Sequence, residues 1–408
     1  MQRSRKKWGE ATCKVHFSKL FAYLGISALR NLSAAILLLL PFFLAEGGWS
    51  SQKIGWAIGL FFFSFLVVQV FAGHLADLIG NVPTALLGAG ITLLAGLCYL
   101  GALWFPNLVF LARLLHGGGS ALILTGALVN LVRSVPQELR GRMMGYFGLP
   151  GFVVMGVGPL LAEGLVKYTG FGGAFTTIMV VSLMIAWILS KLPRPLSTTK
   201  REPLLRALQI NLPRLRPVLI LAAFFGFCVS IWSSFLAPAL AGIGPGAVSA
   251  FGFGYGSGAL LTRLGLSQWL DTHDRRLLAI STLVAYSVGL ALIPQSSSLW
   301  HLGFVGLICG MCHGVYYPAL SALASERFHP LHTGQGMSLY TAASSLGFFI
   351  GPPVWGSLTD LTSYKLTFAS SGLLLVVAVV TFVAFESRRV TSTFKPSGTR
   401  SPEAPGVN

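Results

Sequence analysis

Twelve apolar stretches of 17 to 27 residues follow one another along the whole chain. A helix that crosses the hydrocarbon core of a bilayer needs about 20 apolar residues, roughly twice the length of a barrel strand. Backbone groups at membrane depth must be hydrogen-bonded within the segment, so stretches of this length form helices. The pattern predicts an all-α integral membrane protein with twelve transmembrane helices. They are expected at residues 20–45, 54–72, 84–104, 108–132, 144–166, 171–192, 217–243, 247–270, 277–293, 299–325, 336–358 and 366–385.

Composition leads to the same class of protein. Hydrophobic residues make up 54% of the chain and charged residues only 10%, against about 25% charged residues in soluble domains. These values exclude a soluble enzyme, a secreted disulfide scaffold and a disordered protein. The net charge of +17 would suggest nucleic-acid binding in a soluble protein. In a membrane protein the basic residues follow topology instead, so the expected partner is the lipid bilayer and not a nucleic acid.

The basic residues predict the orientation of the spans. With a cytoplasmic N-terminus, 23 of the 29 Lys and Arg residues lie in cytoplasmic segments, three in outer loops and three inside spans. Because cytoplasmic loops retain positive charge, both termini are predicted to be cytoplasmic. The first span contains Arg30 and Asn31 and is too long and too polar for the apolar core of a signal peptide. We therefore expect a multi-pass protein of a cell membrane, of the bacterial inner-membrane type.

A basic, proline-containing segment separates two sets of six spans. It carries four prolines and seven positive charges, and it either lies on anionic headgroups or is a solvated loop that obeys the positive-inside rule. The two sets share a repeat, because an offset of 193 residues superposes the Gly-Pro pair at 158–159 on the pair at 351–352. This indicates a duplicated bundle with a substrate pathway between the copies. The expected units are an N-terminal bundle (1–190), a linker (191–216), a C-terminal bundle (217–385) and a cytoplasmic tail (386–408).

Three motifs of the first half carry a family resemblance. Residues 73–81, GHLADLIGN, resemble the G-x-L-A-D-[RK]-x-G-[RK] signature of major facilitator superfamily transporters. Residues 113–119, RLLHGGG, resemble the family's R-x-x-Q-G-x-G pattern, and residues 156–159, GVGP, resemble the Gly-Pro motif of its antiporters. The first motif lacks its usual basic residues, and the third lacks the Gly-Gly that usually follows it. The resemblance, nearest to twelve-helix drug and metabolite antiporters, implies two pseudo-symmetric six-helix bundles, alternating access and a monomer.

The resemblance also assigns gating residues. In the family, the Asp of the first motif approaches the N-terminus of a helix in the opposite half, where backbone N–H groups and the helix dipole favour a carboxylate. Breaking that contact would accompany opening to the cytoplasm. The alternative is that each Asp is a solvated loop acid. The gating residues implied are Gly73, Asp77 and Gly80, with Asp271, Arg275 and Arg276 in the second copy.

The repeated Gly-Pro pairs are candidate hinges. Proline removes a backbone donor and glycine lowers helix stability, so both weaken a helix. A bend at Gly158-Pro159 and at Gly351-Pro352 would let the bundles rock, or it would be a static kink that improves packing.

Three arginines inside the spans indicate the class of the substrate. A charge at membrane depth normally faces a cavity or a partner, and no acidic residue lies in the middle of a span. A positive cavity without a matching acid favours an anionic substrate. Structural alternatives stay open, because Arg113 could pair with Glu163 or bind helix carbonyls, and Arg263 could extend to the interface. The predicted cavity residues are Arg30, Asn31, Gln69, Arg113, His116, Arg263, His313 and Tyr316.

Few residues of the sequence indicate a coupling ion or a cofactor. Histidine is the side chain that ordinarily titrates near physiological pH, so His116 or His313 could carry a coupling proton or be a hydrogen-bonded packing residue. Cys309 and Cys312 precede His313 in a C-x-x-C-H pattern, but this pattern lies inside a span, so we expect no haem, no other cofactor and no metal.

The sequence thus predicts a secondary transporter. It would move a small, anionic organic solute in exchange for protons, with efflux as the direction. Proton-coupled uptake of an organic anion or metabolite is the alternative. A polytopic membrane enzyme would need clustered acid, base or nucleophilic groups, and a sensor would need a soluble domain. The sequence shows neither feature. We therefore expect no enzyme activity.

Overall fold

The structure, a computed structural model, describes residues 20–135, 139–193, 204–265, 273–327 and 333–393. In these ranges the chain forms eleven long helices. They are α1 (Leu20–Glu46), α2 (Ser51–Ile79), α3 (Asn81–Gly101), α4 (Leu108–Arg133), α5 (Arg140–Ser190), α6 (Leu204–Ala239), α7 (Ala247–Gly265), α8 (Arg275–Leu292), α9 (Leu299–Arg327), α10 (Thr333–Leu361) and α11 (Tyr364–Thr393).

Nine helices within the described ranges are long and apolar enough to cross a membrane, which confirms an all-helical membrane protein. The predicted eighth and eleventh spans form α7 and α10, but these helices are too rich in glycine and serine to be among the nine. The predicted fifth and sixth spans both lie in α5. This helix is broken at Gly170, whose φ of 66° is in the left-handed region that glycine adopts without strain.

Large apolar side chains cover the outside of the helices. Trp187, Leu373 and Val380 are 66%, 67% and 62% exposed. In water such a surface would promote association, whereas hydrocarbon solvates it. The exposed apolar side chains therefore mark the lipid-facing surface.

The helices pack as two groups. In the first, α2 and α3 both contact α4, and α3 also contacts α5; in the second, α6 contacts α10 and α11, while α9 contacts α7 and α8. We call α1–α5 the N-half and α6–α11 the C-half. Two seams join the halves, one between α2 and α10 and the other between α5 and α7.

We name the two ends of the molecule after the turns that lie before and after α2. The α1–α2 end is where α1 stops and α2 begins, and the charge pattern predicts that it is the outer end. At the opposite, α2–α3 end, Gly80 joins two helices with a φ of 98° and donates its N–H to Ala76 O at 3.1 Å. A side chain would be strained there, which explains the glycine in this motif.

Candidate functional site

A cavity of about 500 Å³ lies between the halves. Its wall is formed by α1, α2, α4 and α5 of the N-half and by α6, α7, α9 and α10 of the C-half. Four of the predicted cavity residues lie on this wall: Arg30, Asn31, Arg113 and His313. No Asp or Glu is found among the described residues of the lining.

Arg30 is held on the wall by neutral partners. Its Nη1 donates to Ser120 Oγ at 3.1 Å and its Nη2 donates to Asn31 Oδ1 at 3.1 Å. Asn31 is itself positioned by a 2.8 Å hydrogen bond from its Nδ2 to Ser27 O. Within the described part of the chain, the Nε of Arg30 is buried without a hydrogen-bond partner. Because no carboxylate takes part in these bonds, the described residues leave the positive charge of Arg30 without a negative partner.

Arg113 is bound more completely. Its Nε donates to Ala57 O at 3.3 Å and its Nη2 to Ile58 O at 3.1 Å, and its guanidinium lies 4.9 Å from the centre of the Phe61 ring. Of the two structural alternatives open from the sequence, binding to helix carbonyls is the one present. Glu163 bonds to the start of α7 instead of pairing with Arg113. The side chain is 6% exposed, so Arg113 fastens α4 to α2 at the edge of the cavity.

The C-half presents hydrogen-bonded aromatic rings. Trp232 Nε1 donates to Tyr286 OH at 3.1 Å, and that hydroxyl lies 3.4 Å from Tyr255 OH. Tyr255 OH also bonds to His313 Nδ1. Sequence reasoning missed Trp232 and Tyr255, because nothing in the sequence distinguishes these rings from the other aromatic residues of the spans.

The remaining predicted cavity residues lie off the wall. His116 is fully buried behind α1, with its Nε2 3.1 Å from Ser33 Oγ. Gln69 lies on α2 with a buried Oε1 that has no hydrogen-bond partner among the described residues, and Arg263 lies in the last turn of α7. Tyr316 is fully buried, and the next residue, Tyr317, lines the cavity. Consecutive helical residues point in directions about 100° apart, so a shift of one position changes the face.

Asp77, in the first gating motif, forms a hydrogen bond within the N-half. Asp77 Oδ1 accepts a hydrogen bond from Arg133 Nη2 at 3.0 Å, which joins α2 to the end of α4. Gly73 is buried on the same helix. The side chains at the start of α10, where a contact across the halves was predicted, lie outside the described residues. The latch role of Asp77 therefore stays a prediction.

The second copy of this motif is described only in part. Asp271 lies outside the described residues. Arg275 forms an ion pair with Glu326 of α9. Asp274 caps α8 by accepting the backbone N–H of Arg276 at 2.8 Å.

The first Gly-Pro pair lies in a helix that continues through it. In α5, the non-helical backbone is at Gly170 and not at Gly158-Pro159. A Cβ on Gly252 of α7 would lie 2.6 Å from Pro159 Cγ, and one on Gly158 would lie 2.5 Å from Ala35 Cβ. This pair therefore packs α5 tightly against both α1 and α7.

The second Gly-Pro pair occupies the corresponding place in the C-half. A Cβ on Gly351 would lie 2.6 Å from Phe227 O of α6, and a side chain on Gly55 of α2 would collide with the backbone of Pro352. Both pairs therefore sit at the seams between the halves. Whether the helices also bend there during transport stays a prediction.

Two carboxylates join the halves at the α1–α2 end, a role that sequence reasoning did not assign to them. Glu163 of α5 accepts hydrogen bonds from the backbone N–H and the hydroxyl of Ser249 on α7, at 3.3 and 2.5 Å. Asp360 of α10 accepts the backbone N–H groups of Ser51 and Gln52 on α2, at 2.8 and 2.9 Å. Asp360 lies in the last turn of α10, and Glu163 lies in the first segment of α5, before the break at Gly170. Each acid binds the first turn of the other seam helix, where free N–H groups and the dipole favour a negative charge.

Comparison with known proteins agrees with this architecture. A sequence model described as the Major Facilitator Superfamily matches residues 16–244 and 236–405. The chain belongs to the Major Facilitator Superfamily. This facilitator is therefore a transporter and not an enzyme, and it is a multi-pass bacterial membrane protein.

Three similar proteins illustrate the relationship. The facilitator is 23% identical to the staphylopine export protein of Staphylococcus aureus over 82% of its own length and 87% of that protein. It is 22% identical to the proton-coupled antiporter flippase LtaA of Staphylococcus epidermidis, over 74% and 78% of the two chains. A crystal structure of a mutant of the nucleoside transporter NupG superposes with a TM-score of 0.74 at 14% identity, covering 90% of this chain and 99% of that one. The last similarity concerns the fold alone.

Proposed function

We propose that this facilitator exports a small organic anion in exchange for protons, by alternating access of the cavity between its halves. The observation that carries the proposal is Arg30, a cation on the cavity wall whose described partners are all neutral. Leaving an ionic group uncompensated at membrane depth costs several kcal/mol or more. An anionic solute would supply the missing charge when it binds.

The proposed topology has twelve spans, with both termini in the cytoplasm. The two segments of α5 would count as two spans, and the polar helices α7 and α10 would add two more to the spans formed by the other, more apolar helices. Glycine and serine in α7 and α10 favour close helix packing at the seams, which offsets their weaker affinity for lipid. In this topology the α1–α2 end faces outward, and a monomer of two bundles (1–190 and 217–385) surrounds one pathway.

Alternating access would use the contacts at the two ends. The Glu163 and Asp360 bonds hold the α1–α2 end closed, so they would have to break before the cavity opens outward. Asp77 and Asp271 would form the corresponding contacts at the cytoplasmic end, as the family resemblance implies. The seam glycines and prolines would let the helices slide or rock between these states.

Direction and coupling are supported by the relatives and by one histidine. The staphylopine export protein is named for export, and LtaA is named a proton-coupled antiporter. His313 lines the cavity and bonds to Tyr255, so a proton on its ring would alter the site that binds the solute. Proton-coupled uptake is the alternative, and it differs in the direction of the two fluxes.

Reconstitution tests the proposal. Purified facilitator in proteoliposomes would be assayed for flux of labelled organic anions under a pH gradient of each sign. Exchange requires that the anion moves against the proton flux, and Arg30→Gln should lower the apparent affinity at least about tenfold. The exposed Lys365 provides a matched control, Lys365→Gln, which should leave flux unchanged. Anion flux equal to that of protein-free vesicles under both gradients would contradict the proposal, and flux in the direction of the protons would favour uptake.

A further inference from the structure

The two sides of the cavity differ in charge, although the N-half also contributes the rings of Phe61, Phe62 and Phe65 to the lining. The guanidinium groups of the described lining, Arg30 and Arg113, both belong to the N-half. On the C-half, Trp232, Phe251 and Tyr255 form one group of touching rings, which we call the aromatic cluster. The ring centres of Trp232 lie 5.1 Å from Tyr255 and 5.6 Å from Phe251, and those of Phe251 and Tyr255 are 5.8 Å apart.

The aromatic cluster is held in a defined orientation. Trp232 donates its ring N–H to Tyr286, and Tyr255 bonds to both Tyr286 and His313. All three rings of the cluster are at most 8% exposed, so neighbouring side chains restrict their rotation. A ligand that packs against such rings loses little free energy to their ordering, which favours binding through flat, rigid faces.

The guanidinium of Arg30 is equally well positioned on the opposite half. The two bonds to Ser120 and Asn31 fix its plane, and its Nε remains without a partner. A simple inorganic anion would satisfy this charge but leave the aromatic cluster without contacts in a cavity of about 500 Å³. A neutral apolar solute would fill the aromatic side and leave the charge uncompensated.

We infer that the substrate is an aromatic organic anion that bridges the halves. Its acidic group binds Arg30 on the N-half, and its ring packs against Trp232, the most exposed ring of the aromatic cluster, on the C-half. This inference rests on the proposed function and adds the substrate class. A compound with only one of the two groups makes only one of these two interactions.

Three sulfonate-derived probes of similar size test the substrate class. Benzenesulfonate has both features, cyclohexanesulfonate keeps the charge and loses the aromatic ring, and benzenesulfonamide keeps the ring and loses the permanent charge. Competition with a transported anion in proteoliposomes would give their relative affinities. Aromatic packing predicts that benzenesulfonate binds about threefold to tenfold more tightly than cyclohexanesulfonate, and that the sulfonamide is the weakest.

Variants test which side of the cavity recognises the aromatic ring and which recognises the negative charge. Trp232→Leu should bring the ratio of the affinities for benzenesulfonate and cyclohexanesulfonate close to one. Trp232→Phe should retain most of the wild-type ratio. Trp187 lies on the lipid-facing surface, so Trp187→Leu is a matched control that should leave the ratio unchanged. Arg30→Gln should weaken both sulfonates by a similar factor and leave the sulfonamide unaffected.

The outcomes separate this inference from the proposed function. Equal affinity of the wild-type protein for both sulfonates would overturn the aromatic substrate class, while anion flux in the same vesicles would leave the proposed function intact. Failure of every anion to bind or move would overturn the proposed function together with this inference. The comparison of probes uses the wild-type protein, so it does not depend on whether a variant folds.

Discussion

The carboxylate of Glu163 in the N-half accepts a 2.5 Å hydrogen bond from the hydroxyl of Ser249 in the C-half. Asp360 repeats this relationship with the halves exchanged, because it belongs to the C-half and binds the start of α2 in the N-half. The two contacts are therefore a pseudo-symmetric pair, at the end opposite to the Asp77 motif. Each adds a hydrogen-bonded negative charge to the positive end of a helix dipole.

We expect Glu163→Gln to favour opening of the α1–α2 end. The amide cannot replace a charged acceptor for both donors of Ser249, and the lost stabilisation of the closed state is about 1 kcal/mol. Asp360→Asn should have a smaller effect, because Asp360 is exposed and its charge is screened by solvent. A cysteine introduced at cavity residue Val248, in a background without other cysteines, should react about fivefold faster with an impermeant maleimide in the Glu163→Gln variant.

The control for this experiment is another acid at the same end. Glu46 is exposed at the end of α1, so Glu46→Gln removes the same charge from the same end of the molecule. An equal increase in labelling for Glu46→Gln would mean that net charge, and not the bond to Ser249, controls opening.

Arg113→Gln should destabilise the protein, whereas Arg30→Gln should mainly weaken substrate binding. Arg113 is buried and donates to two carbonyl groups of α2, so its removal loses two hydrogen bonds from a charged group between α4 and α2 and costs about 2 kcal/mol. Arg30 binds neutral side chains that water can replace in the cavity. Thermal unfolding in detergent would compare the two variants. A larger decrease of the melting temperature for Arg30→Gln would contradict these roles.

Gly256→Ala should impair transport because of the close approach of α7 to α5. A Cβ at Gly256 would lie 2.5 Å from Gly156 Cα, which forces the seam apart. Gly265 is on the same helix with nothing within 4 Å of its Cβ position, so Gly265→Ala is the matched control. We expect flux to fall about tenfold in the first variant, as for a shift of about 1.4 kcal/mol, and to be unchanged in the second.

His313→Gln should separate proton coupling from substrate exchange. Glutamine retains hydrogen-bonding groups beside Tyr255 but does not titrate, so a pH gradient should no longer drive flux, while exchange of labelled for unlabelled anion continues. His116→Gln is the comparison, because that residue is buried behind α1 and off the cavity wall. Gradient-driven flux that persists in the His313 variant and disappears in the His116 variant would place the proton site in the N-half.

Part of the site could be predicted from the sequence because it depends on position along a helix. Arg30 and His313 lie near the middle of their spans, and a polar group at that depth normally faces a cavity or a polar partner. The choice between Tyr316 and Tyr317 depends on the rotation of α9 about its axis. That rotation is decided by packing against α7 and α8, which no local pattern records.

The class of this protein was determined by the sequence alone. Apolar length and the need to satisfy backbone groups inside each segment are local properties, so they require membrane-spanning helices whatever the packing. Only the tertiary structure decided the partners of the charged groups. Glu163 and Ser249 are separated by two complete helical segments along the chain and meet only because α5 packs on α7. Contacts of this kind depend on the rotation and register of whole helices, and a sequence pattern specifies neither.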